Sequence, residues 1–169
     1  SKYLEAYKKF VDFFFDHDEI RFRVIVVDQT RVNLDRFHGG DRELGFYKFY
    51  YVLLVKWIEP GNEYLILLDY KRNRGADRYK TLRTVLERSQ KGAAWISDLT
   101  VVDSWEYPLV QLCDLLTGAV AATWCDALRE GTPKNELATY LAGRCSLGSL
   151  RVGSISPSVT KFNIFQIRL

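Results

Sequence analysis

The sequence holds no methionine and only three cysteines, Cys113, Cys125 and Cys145, with no CxxC spacing. An odd count among small or apolar neighbours argues against a disulfide framework and against a zinc site, so the three read as reduced packing residues of a cytoplasmic protein. With Ser1 first and no initiator, the chain reads as a fragment or a processed piece. Long apolar runs are also missing. The longest is interrupted by Asp114, which excludes a membrane span, and no signal-peptide pattern is present. There is no P-loop, no GxGxxG and no Ser/His/Asp order, so nucleotide-cofactor binding and covalent nucleophilic catalysis lack support. The net charge of +3 is too small to demand a polyanion, and any nucleic-acid argument rests on where the bases sit.

What is present is a chain of 169 residues, 47% hydrophobic and 14% aromatic, which suits one folded domain with one core and excludes disorder. Tyr3, Leu4, Tyr7, Phe10, Val11, Phe14 and Phe15 recur at helical spacing and predict a helix over residues 2 to 16. Arg21 to Asp28 reads as a strand ending in an acid, and Gln29 to Gly40, which contains His38, as a loop. Asp41 can cap a helix whose stripe is Phe46, Phe49, Tyr50, Leu53, Leu54 and Trp57, broken by Pro60-Gly61. Tyr64 to Asp69 is a nearly continuous apolar run, as expected of a strand covered on both faces, and it too ends in an acid. A basic cluster follows, Lys71, Arg72, Arg74, Arg78, Lys80 and Arg83, opening a helix from about Ala76 to Ser89. Trp95 to Asp103 is a third strand. Thr132-Pro133 opens a helix to about Gly143, and Val159 to Leu169 reads as a closing strand of imperfect alternation.

The segment that organises this pattern is the helix after Pro108. Between Glu106 and Asp126 its one formal charge is Asp114, among Leu109, Val110, Leu112, Leu115 and Leu116. A helix apolar on every side is a buried one, and a carboxylate inside it must be hydrogen-bonded, neutralised or coordinated to a cation. Gln111, Asp114, Thr117, Gly118 and Ala121 fall on one side of it, and Ser104 lies just before it as a candidate cap or turn former. Strands alternating with helices argue for an α/β layer with parallel neighbours, whose sites form at the carboxyl ends of strands. Asp28 and Asp69 close two strands and Asp114 follows the third. Three converging carboxylates would need a cation, and hard ions such as Mg²⁺ or Mn²⁺ take oxygen ligands and share them with phosphates. Asp69 and Asp114 are the stronger ligand candidates and Asp28 the weaker. Lys71, Arg72, Arg74 and Arg78, beside Asp69, suit phosphate contacts or else form a solvated helix face.

The segments GGDRELGFYKFYYVLL, YLILLDYKRNR, DSWEYPLVQLCDLLTGAV and KFNIFQ together make the chain resemble the domain-of-unknown-function 3800 family. The most specific part is an LQLxDLLxGA pattern, here Val110 to Ala119. The resemblance spans essentially the whole chain, 1–169, as a single domain. It implies an RNase H-like α/β fold with a partly parallel sheet flanked by helices, and metal-dependent cleavage of nucleic acid. It puts metal-site acids at Asp69 and Asp114, with Ser104 and Gln111 as polar partners. Family members typically open with a strand ending in Asp-Glu-Ser and carry a Glu before the first helix; neither occurs here. The expectation is therefore an N-terminally truncated domain lacking the first hairpin, with an open sheet edge suited to pairing with another copy. The alternative reading is a catalytically inactive module of the same fold that binds nucleic acid or a protein partner.

Overall fold

The computed structural model describes residues 2–28, 41–70 and 77–167. In chain order the elements are α1 (Lys2–Asp16), β1 (Phe22–Val27), α2 (Arg42–Val55), β2 (Glu63–Asp69), α3 (Arg78–Gln90) and β3 (Trp95–Val102). A 3₁₀ turn (Ser104–Glu106), α4 (Pro108–Trp124), α5 (Pro133–Arg144) and β4 (Phe162–Ile167) follow. The architecture is α/β. The described strands do not form one sheet, however: β1 pairs with β4, and β2 pairs with β3. The chain divides into two compact units, Ser1–Val26 with Gln111–Gln166, and Val27–Val110 with Ile167–Leu169. No helix among the described residues is long and apolar enough to cross a membrane.

In the first unit α1 buries Leu4, Val11 and Phe14 in a core with Leu116 and Val120 of α4, Leu141 of α5, and Phe162 and Ile164 of β4. Phe15 packs partly against the same core, whereas Tyr3, Tyr7, Phe10 and Phe13 stay exposed. Asp12 ties α1 to α5 by accepting from Tyr140 and Arg144, and Arg144 also reaches Asp16 at 3.4 Å. Lys161 donates to the carbonyls of His17 (2.6 Å) and Ile20 (2.7 Å), satisfying acceptors just past the end of α1. Desolvation pushes its ammonium below the usual lysine range. Asn163 is the buried polar residue of this core. Its amide donates to Ser156 O and Val159 O, both at 3.0 Å, and its oxygen accepts from Arg23 Nε at 3.3 Å, fastening the 153–161 connector and β1 to β4.

In the second unit β2 and β3 run parallel, joined through α3 as a parallel pair requires. Ile66, Leu68, Ile96 and Leu99 pack against Leu82 and Leu86 of α3 and Tyr47 of α2. On α2 the most buried ring is thus Tyr47, outside the stripe that the periodicity selects. Leu65, by contrast, is 63% exposed, so β2 is not covered on both faces. An apolar run alone does not establish two-sided burial, because folded proteins leave much apolar area in water. The register slips between Tyr64 and Leu65, where Ser97 Oγ donates to Tyr64 O at 3.1 Å. Arg83 braces the slip from α3 by donating to Asp98 (3.0 Å) and Ser97 O (3.1 Å). After α3 the chain turns through Lys91 and Gly92, both at positive φ, where the glycine meets no Cβ penalty.

Candidate functional site

The carboxyl end of the β2–β3 pair is where the sequence argument and the structure meet. Asp69, half-buried, is the last residue of β2 and lies in register with Val102, the last of β3. Beyond it the Tyr70 amide still donates to Val102 O at 2.9 Å, so the ladder fixes the backbone through Tyr70. The next residue after Val102 is Asp103, exposed and extended. Its carboxylate accepts from Trp105 N at 3.1 Å and so starts the 3₁₀ turn. Glu106 N then bonds to Asp103 O and Tyr107 N to Ser104 O, and Pro108 opens α4 in the first helical turn, where no N–H is needed. Two carboxylates thus close adjacent parallel strands. Asp103 was missed as a site residue, although it carries the same signal as Asp28 and Asp69, an acid ending a strand. Ser104, a candidate cap or turn former, is the first residue of the turn, and Asp103 is its cap.

Asp28 is exposed one residue beyond β1. Asp114 is exposed as well, which corrects the expectation of a buried acid. The helix α4 buries one side, with Leu112, Leu116, Ala119 and Val120, and opens the other, where Cys113, Asp114, Thr117, Gly118 and Ala121 face water. The open face is the side on which helical spacing gathers Asp114, Thr117, Gly118 and Ala121, a polar patch running into small residues. Gln111 is half-buried in the same helix. Asp69 and Asp114 belong to different units. Among the described residues no group of three or more His, Cys, Asp or Glu gathers as a metal site. Cys125 is exposed rather than packed; Cys113 lies on the open face of α4, yet partial burial still raises its thiol; Cys145 is half-buried, and burial pushes its thiol up to about 12.

Lys71, Arg72, Arg74 and His38 lie outside the described residues. Arg78 is described, and two carboxylates already engage it: Asp41, and Glu43 at 3.2 Å. Asp41 also caps α2 by accepting from Leu44 N at 3.0 Å. That backbone bond and the Arg78 guanidinium hold its carboxyl below the usual Asp range, while Asp41 raises Arg78. Lys80 pairs with Asp77 (2.9 Å), and Arg83 with Glu87 (2.9 Å) and Asp98. The described part of the basic run is therefore compensated within its own unit.

A depressed carboxyl pKa stabilises the fold above the unfolded value, and that stability is lost as pH falls through the folded value. Asp41→Asn keeps an oxygen for the Leu44 amide but loses the charge facing Arg78. Thermal unfolding should accordingly show the variant less stable at pH 7, with the gap closing below about pH 4. A gap independent of pH would rule out an ionic contribution. Comparisons of the chain with protein-family models, with curated proteins and with solved structures give no match.

Proposed function

We propose that the chain is a nuclease-like domain of RNase H-like fold that uses Mg²⁺ or Mn²⁺ to hydrolyse phosphodiester bonds in nucleic acid. The observation that carries this reading is the placement of Asp69 at the carboxyl end of a parallel strand, one residue across the ladder from Asp103. The donor set fits the ion, because Mg²⁺ is typically held by one or two carboxylates and completes its shell with water and substrate phosphate oxygens. A bound divalent ion would supply positive charge to the phosphodiester and acidify a water molecule.

Asp69 would hold that ion from a half-buried position where its charge is poorly screened. Asp103 follows Val102, the register partner of Asp69, so its free carboxylate oxygen would act on the same ion through water in the ion's shell. In the reaction the water oxygen bonds to phosphorus, the ester P–O bond breaks, and the proton released by water is balanced by protonation of the leaving oxygen. The resemblance names Asp114 as a further ligand and Asp28 is the weaker candidate; their part rests on sequence alone.

The direct test incubates the protein with single- and double-stranded DNA and RNA in Mn²⁺ and in EDTA. Cleavage of at least one substrate in Mn²⁺, abolished by EDTA, is the expected result. No cleavage of any substrate would overturn the reading and leave a module that binds without cutting.

A further inference from the structure

The carboxylate edge of the second unit also carries an unusual amount of exposed ring. Trp105 is 85% exposed and Tyr70 64%, and each sits within two residues of one of the two acids. Neither backbone is loose. The Tyr70 amide is bonded to the ladder, and the Trp105 amide to the carboxylate that caps its turn. The fold thus anchors the backbone of two largely exposed amphipathic rings, whose apolar faces the hydrophobic effect would favour covering. An apolar protein surface is a poor cover, because it would also strip water from the exposed carboxylates of Asp103 and Glu106 without pairing them. A nucleic-acid strand would satisfy both features, since bases would stack on the rings while the carboxylates, were they to hold a divalent ion, would offer positive charge to phosphate. Duplex bases already stack on one another, so only unpaired bases can use such rings.

We infer that this edge takes single-stranded nucleic acid, with unpaired bases stacking on Trp105 and Tyr70. The phosphate contact, though not the stacking, rests on the cation reading proposed above.

The test measures fluorescence anisotropy in Ca²⁺ with a labelled strand of about 12 nucleotides, within the site size of such grooves, and with the matching blunt duplex. The single strand should bind at least about 10-fold tighter than the duplex, and Trp105→Ala should weaken it about 5- to 150-fold, the size of one lost base stack. Trp105→Phe should retain most of the affinity. Trp95→Ala is the control, because that ring is 69% exposed at the opposite end of β3. Equal binding of duplex and single strand, no binding of either, or indifference to Trp105→Ala would each overturn the inference. So would Trp105-dependent self-association in sedimentation velocity without strand binding, which would make the edge an interface between copies. Cleavage in Mn²⁺ alongside strand binding indifferent to Trp105→Ala rejects this inference alone. Trp105-dependent strand binding without cleavage rejects the nuclease reading alone.

Discussion

Asp69→Asn is expected to reduce Mn²⁺-dependent cleavage by at least about 100-fold, the usual scale for removing one charged group from a site where phosphoryl charge is stabilised. The substitution preserves shape and removes charge. Because Asp69 ends its strand half-buried, the unfolding midpoint should hold or rise, since a neutral amide costs less to desolvate there than a carboxylate. Asp103→Asn should cost less, about 10-fold, because the amide oxygen can still accept from Trp105 N and keep the turn in place. Asp114→Asn and Asp28→Asn, assayed alongside, measure what the resemblance contributes beyond the strand-end pair. Cleavage by Asp69→Asn at the wild-type rate would remove the assignment altogether.

Phe14→Ala should lower stability by about 3–5 kcal/mol in urea denaturation, the range for emptying a fully buried aromatic site. Phe14 is completely buried. It meets Phe15 edge-on at 4.9 Å and Phe162 at 6.4 Å, and Lys161 Nζ lies 4.3 Å from its ring centroid. The cavity would therefore form beside a partly desolvated ammonium, which would lose a π face as well as packing atoms. Phe10→Ala on the same helix is the internal comparison: at 37% exposure it should change stability by no more than about 1 kcal/mol. Equal losses for the two variants would show that α1 is not anchored by the face that Phe14 occupies.

Both choices depend on features that differ in how readily sequence betrays them. Local signals were legible. The first helix lies at residues 2 to 16 as its periodicity required, Asp41 and Thr132 cap their helices, and the three strands before α4 fall within a residue or two of the expected limits. Long-range facts were not. Periodicity places Tyr47 off the stripe and Phe10 on it, yet the structure buries the first and exposes the second, because what packs opposite a helix is set by partners distant in the chain. Asn163 shows the same limit. A polar residue between Phe162 and Ile164 reads as solvent-facing under a period of two, but all three are buried, and the amide's partners lie 4, 7 and 140 residues away.

At the candidate site Asp69 was legible as the acid ending an apolar strand. Asp103 carries the same signal at the end of the next strand, whereas the exposure of the rings is visible only in the folded chain. The acid in α4 misled for a physical reason: alanine, glycine, threonine and cysteine tolerate either environment, so a face made of them gives no sign of which way it points.

The first unit is assembled from two stretches of chain, and Arg23 must wait for Asn163, 140 residues later. At ordinary translation speeds of about 5–20 residues per second, that delay is about 7–30 s. Until α4, α5 and β4 have been made in turn, Val11 and Phe14 of the first helix lack most of the partners they meet in the folded unit. That helix is the part of the newborn polypeptide on which a ribosome-associated chaperone would have most to do.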